Sequence, residues 1–104
     1  MTDNPNVTVA RNDAADRYEI RVDEAVAGFV SFQESETHIA FTHTEVVAEY
    51  KGKGLASRLA SEAIADAVAR DLIIIPLCPY LARYLERHEI DGVRIEWPNR
   101  PPRP

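Results

Sequence analysis

Cysteine is nearly missing from this chain: Cys78 stands alone in 104 residues. That excludes an internal disulfide framework and a zinc site built from several cysteines. His38 and His88 have no companions at ligand spacing, so no metal site is expected. Long hydrophobic runs are lacking too. The longest, Leu72-Ile73-Ile74-Ile75-Pro76-Leu77-Cys78, falls far short of the roughly 20 residues that a membrane helix needs. Met1-Thr2-Asp3-Asn4 does not show the basic-then-apolar start of a secretory leader, and the expected location is cytoplasmic. Clustered positive charge is absent. A net charge of -5 disfavours nucleic-acid phosphates and anionic lipid, which both need grouped Lys and Arg, and suits a cationic amine or a basic peptide. No internal repeat is visible.

What is present is 45% hydrophobic residues in a length that makes one domain. Residues 1–6 are polar and expected to be disordered, and 7–96 form the domain. From Trp97 the chain is a Pro-rich tail, unstructured or extended, with four prolines in its last eight residues. Val7–Arg11 reads as a strand and 12–16 as a turn. Arg17–Val22 alternates, placing Tyr18, Ile20 and Val22 inward and the charges outward. Val26–Gln33 and Thr37–Val46 follow as further strands, completing an antiparallel meander. Over Gly54–Arg70 the period changes to that of a helix, with Leu55, Leu59, Ala63, Ile64, Ala67 and Val68 on one face. Leu72–Leu77 is a continuous apolar run, expected to be a strand covered on both faces. Pro79 suits the first turn of a second helix, whose buried stripe is Leu81, Tyr84, Leu85 and His88. A strand–helix–strand connection of this length implies parallel pairing of 37–46 with 72–77. The predicted fold is α/β (α+β): a β-meander, a β-α-β unit and a C-terminal helix around a mixed sheet.

Glycine is scarce, four residues in all, yet Gly52 and Gly54 fall in one short stretch, Lys51-Gly52-Lys53-Gly54-Leu55-Ala56. It lies where the β-rich half ends and the helix begins. Glycines let backbone N–H groups turn toward one point, and the helix adds the positive end of its dipole. That is a phosphate cradle with two lysines beside it. The spacing is neither that of a Walker A loop nor that of a dinucleotide fingerprint.

Cys78 directly precedes the Pro79-headed helix. A thiol there feels a positive partial charge that favours thiolate and raises reactivity; a small core side chain is the competing reading. His43 and Glu45 share one face of the fourth strand, with Thr44 pointing the other way. Either can take a proton from an attacking ammonium group, and each alone also reads as an ordinary strand residue.

The stretch from Lys51 to Ala56 resembles motif A of the GNAT superfamily of acetyltransferases, Gln/Arg-x-x-Gly-x-Gly/Ala. Lys51 holds the Gln/Arg place, a departure that keeps the charge but loses the planar fork, while Gly54 and Ala56 match. The wider pattern His43-Thr44-Glu45-Val46, Lys51 to Ala56 and Pro76-Leu77-Cys78-Pro79-Tyr80 is similar to the small single-domain GNAT-like family of about a hundred residues. That likeness covers roughly residues 17–92.

The resemblance implies acetyl-CoA as cosubstrate, bound between the fourth and fifth strands. Its pyrophosphate is expected on backbone amides of Gly52, Lys53, Gly54, Leu55 and Ala56, with Lys51 and Ser57 beside them. A strand bulge at Thr44, Glu45 and Val46 is implied to polarise the thioester carbonyl, with Val46 and Val47 lining the pantetheine channel. Cys78 is implied at the active site, as nucleophile or close to the thioester. Tyr84, or Tyr80, is implied to protonate the departing CoA thiolate. The expected activity is acetyl transfer to a small amine, a protein lysine or an N-terminus; the alternative is a non-catalytic acetyl-CoA-binding or interaction module. A nucleotide-phosphate binder unrelated to CoA is a third reading. The expected state is a monomer or weak homodimer, without nucleic-acid or membrane partners.

Overall fold

The computed structural model describes residues 6–98. Strands β1 (Val7–Asn12), β2 (Arg17–Val22), β3 (Ala25–Glu34) and β4 (His38–Val46) run as an antiparallel meander. Helix α1 (Leu55–Ala69) crosses to β5 (Ile73–Pro76), which pairs parallel with β4, and helix α2 (Pro79–Arg87) follows. The mixed sheet has five strands in sequential order. A last segment adds to its edge through a parallel bridge between Ile74 and Ile95.

Alternation makes one face of this sheet apolar. Tyr18, Ile20, Val30, Phe32, Ile39, Phe41 and Ile74 are buried against Leu55, Leu59, Ala60, Ala63, Ile64 and Ala67 of α1, and Leu81 and Leu85 of α2 complete the core. Each fully buried Leu or Ile contributes about 1.5–3 kcal/mol. α1 stops in a Schellman arrangement: Asp71 sits at φ 61, its N–H donates to Val68 O, and Leu72 N–H donates to Ala67 O.

The reverse face carries no comparable core, which corrects two expectations. β5 is covered on one face alone, since Ile73 and Ile75 are half-buried while Ile74 is fully buried. Glu19 does not point into solvent. It is 3% exposed, because Arg17, Arg21 and Asn12 close over its carboxylate at 2.8, 2.9 and 3.1 Å. Three donors offset the cost of removing that charge from water. His88 is a third correction: it is exposed and lies just beyond α2 as its C-cap, so the buried stripe ends at Leu85.

At the termini, Asn6 is tied to Asp23 by N–H to Oδ1 at 3.0 Å. Trp97 is half-buried against the core, so packing extends one residue past the expected boundary. The rest of the expected disordered start and Pro-rich tail, 1–5 and 99–104, lies outside the described residues.

Candidate active site

The site arises where β4 and β5 part. Their parallel ladder runs from His38–Ile73 to Phe41–Pro76. There the N–H groups of Leu77 and Cys78 both donate to Phe41 O, at 3.0 and 2.9 Å. β4 then continues to Val46 beside β3 alone, while the other chain turns into α2 headed by Pro79. Proline enforces that parting: it supplies the helical φ of a first turn and has no N–H with which to continue a ladder.

β4 is also irregular. Ser31 faces His43 while Phe32 faces Phe41, so Thr42 is an extra residue. The bulge therefore lies at Thr42, one turn of the pleat before the expected Thr44–Val46. It restores the phase that puts Thr44 on the core face beside Val30. Further on, Val47 N–H donates to Ala27 O of β3 at 2.7 Å. Alternation then aims the N–H groups of Val46 and Thr44 into the gap, away from β3. Gly28 permits this close approach, because a Cβ there would sit 2.7 Å from Glu45 O.

A 3₁₀ turn, Ala48–Tyr50, joins β4 to the glycine loop. Gly52 and Gly54 have φ of 82° and 75°, left-handed values that other residues adopt at a cost, and a Cβ at either would meet nothing within 4 Å. Gly54 is the N-cap of α1, which has no side-chain cap and no acidic residue in its first turn. Its leading N–H groups therefore have neither a capping side-chain oxygen nor a carboxylate in their own turn.

These elements enclose an open cleft of about 400 Å³. Of the residues expected to bind cofactor, Thr44, Glu45 and Val46 line one wall, and Lys51, Gly52, Gly54, Leu55, Ala56 and Ser57 the other, with Tyr80 at the α2 side. Val47, Lys53 and Cys78 are not among the lining residues; Val47 and Lys53 are exposed and Cys78 is buried. Tyr50 also lines the cleft, and it was not anticipated from sequence. Its place three residues into a turn that no periodicity marks explains the omission.

Cys78 is the N-cap residue of α2; its thiol makes no cap bond and lies 3.0 Å from Thr44 Oγ1. His43 Nε2 lies 3.2 Å from Glu45 Oε1, and both side chains are about 60% exposed. By alternation they point to the sheet face opposite Thr44, where the His43 ring lies 6.0 Å from that of Phe29, tilted at 52°. Cys78 and the His43–Glu45 pair are thus on opposite sides of β4. Tyr80 is bonded to Ser57 of α1, and burial pushes its hydroxyl pKa up. Tyr84 lies one turn further along α2, stacked on His88 at 4.0 Å between ring centres. Among the described residues no group of His, Cys, Asp and Glu is arranged to hold a metal ion.

A meander, a parted β4–β5 pair and a glycine-loop helix start between them make a GNAT fold. A family model described as GCN5-related N-acetyl-transferase matches residues 17–92, and the chain belongs to that family. A comparison with functionally described proteins gives no match.

Proposed function

We propose that this domain is an N-acetyltransferase that uses acetyl-CoA and acts on an amine. The observation that carries the proposal is the cleft itself, which joins uncapped amides of α1 to a gap lined by β4 backbone. In this reading the pyrophosphate rests on the Gly52–Ala56 amides and the pantetheine arm runs past Val46 and Tyr50. The thioester carbonyl then accepts a hydrogen bond from a β4 N–H, which strengthens as negative charge develops on its oxygen. The neutral amine attacks the carbonyl carbon, forming the C–N bond, and the C–S bond breaks. CoA leaves as thiolate and takes a proton from Tyr80, which borders the cleft; Tyr84 sits one turn behind it. The proton that the amine sheds passes through water at the open end of the cleft to His43 or Glu45, whose side chains are exposed on the reverse face of β4.

The non-catalytic reading, an acetyl-CoA-binding module, has one observation in its favour. The two candidate bases, His43 and Glu45, project from the face of β4 opposite Thr44 and Cys78, so neither side chain is aimed into the gap beside the thioester. Calorimetric titration with acetyl-CoA, with ADP as control, tests the site. Release of CoA thiol on adding polyamines or lysine peptides then separates enzyme from binder. Saturable binding that ADP does not match, followed by amine-dependent thiol release, is the expected result. Equal binding of ADP and acetyl-CoA would favour a plain nucleotide-phosphate binder.

A further inference from the structure

The cations of this protein divide sharply. Arg11, Arg17, Arg21, Arg58, Arg70 and Arg94 each hold a carboxylate within 2.9 Å. Lys51, Lys53, Arg83 and Arg87 are the Lys and Arg side chains with no such partner among the described residues. They fall in two neighbouring places. Lys51 and Lys53 belong to the glycine loop, whereas Arg83 and Arg87 line a small pocket of about 110 Å³ with Ser57, Tyr80, Tyr84 and His88. That pocket shares Ser57 and Tyr80 with the main cleft, so the two lie side by side.

In a chain of net charge -5, carboxylates are the commoner partner, and leaving four cations unpaired in two neighbouring places calls for a reason. Arg83 and Arg87 stand four apart on α2, on one helix face, where like charges oppose helix formation. Arg87 is in the last turn and gains from the helix dipole; Arg83, a turn earlier, does not. The stacked Tyr84–His88 pair walls the pocket, so the guanidinium groups flank a defined recess.

We infer that Arg83 and Arg87 form a second anion subsite, which takes a phosphate monoester carried by the same ligand whose pyrophosphate lies on the glycine loop. The inference rests on the acetyl-CoA reading, in which that group is the 3′-phosphate of the ribose. The subsite makes the protein select the 3′-phosphorylated cofactor over its dephospho form. Guanidinium groups suit this role, since their planar forks match phosphate oxygens in pairs.

The test is calorimetric titration of acetyl-CoA and of acetyl-3′-dephospho-CoA into the wild-type protein, R83Q/R87Q and Arg94→Gln. The last variant loses a surface charge held by Asp71, away from the cleft. Wild type and Arg94→Gln are expected to bind acetyl-CoA about tenfold or more tightly than the dephospho form, a gap that charge-assisted hydrogen bonds readily supply. In R83Q/R87Q the gap is expected to close while affinity for the dephospho form stays the same. Equal binding of both ligands by the wild type would overturn the subsite and leave the acetyl-CoA reading intact. A preference that survives in the double variant would also overturn it. Binding of neither ligand by the wild type would overturn the acetyl-CoA reading and the subsite with it.

Discussion

Thr44 Oγ1 and Cys78 Sγ lie 3.0 Å apart across the gap where β4 and β5 separate. The contact joins the end of the meander to the start of α2, and it gives a buried thiol one polar neighbour. A hydroxyl neither removes a proton from sulfur nor stabilises thiolate as a cation does. Direct transfer to the amine therefore fits the geometry better than an acetyl-cysteine intermediate. Cys78→Ala is expected to keep activity within about tenfold of wild type, far from the losses that follow removal of a nucleophile. Intact-protein mass spectrometry after incubation with acetyl-CoA is expected to show no acetyl adduct on Cys78. A trapped adduct together with an inactive Cys78→Ala would establish the covalent route.

The glycine loop separates stability from binding in a measurable way. Gly54→Ala places a Cβ at φ 75° in open space, so the folded-state cost is conformational, about 1–2 kcal/mol. The added methyl also lies in the loop on which the ligand's pyrophosphate is proposed to rest. Acetyl-CoA affinity is expected to fall at least about tenfold, while thermal unfolding shows a shift of roughly 4–8 °C per kcal/mol lost. Unchanged affinity in a stably folded variant would count against the cradle.

Much of this was legible in sequence, because its signals are local. Strict alternation in Arg17–Val22 marked β2, and the helical period after Gly54 marked α1; the glycine pair and Pro79 marked the two helix starts that frame the cleft. The features that periodicity does not show depend on neighbours distant in sequence. Glu19 is buried because Asn12 of β1 and two flanking arginines surround it. Periodicity alone assigned it to solvent. The bulge at Thr42 is a pairing fact, visible only once Ser31 and Phe32 are set against β4. Val93-Arg94-Ile95-Glu96-Trp97 alternates as a strand does, but that its Ile95 pairs in parallel with Ile74 is again a fact of distant neighbours.

Glu19 should make the fold sensitive to acid. Its hydrogen bond from Arg21, opposed by burial and aided by Arg17 and Asn12, holds its pKa down to about 2. Because the folded value lies below the ordinary 4.5, the folded state binds fewer protons than the unfolded one. Its stabilisation is complete above about pH 4.5 and is lost as pH falls toward 2. Glu19→Gln is expected to cost about 2 kcal/mol at pH 7, below the range for fully buried pairs since both guanidinium groups are partly exposed. Urea titrations of the two proteins should converge in stability as pH drops through that window. A constant difference across it would remove Glu19 from the acid response.

Tyr18 predicts the opposite limb. Its hydroxyl donates to Asp66 of α1 and accepts from Arg11 Nη1 at 3.1 Å, tying β1, β2 and the helix together. Burial first, then the hydrogen bond to Asp66, raises its pKa from 10.0 to about 12. A phenol whose folded pKa is raised keeps its proton in the fold after the unfolded chain has released it. The contribution is therefore whole below pH 10 and vanishes as pH climbs toward 12. Tyr18→Phe removes the group and leaves Asp66 with Arg70, at 2.7 Å, as its remaining partner. The variant is expected to be about 1–1.5 kcal/mol less stable at pH 7. Its own stability should fall less steeply from pH 10 to 12, so that the two denaturation curves approach one another. Equal slopes would mean that some other group, such as one of the remaining tyrosines, carries the alkaline loss.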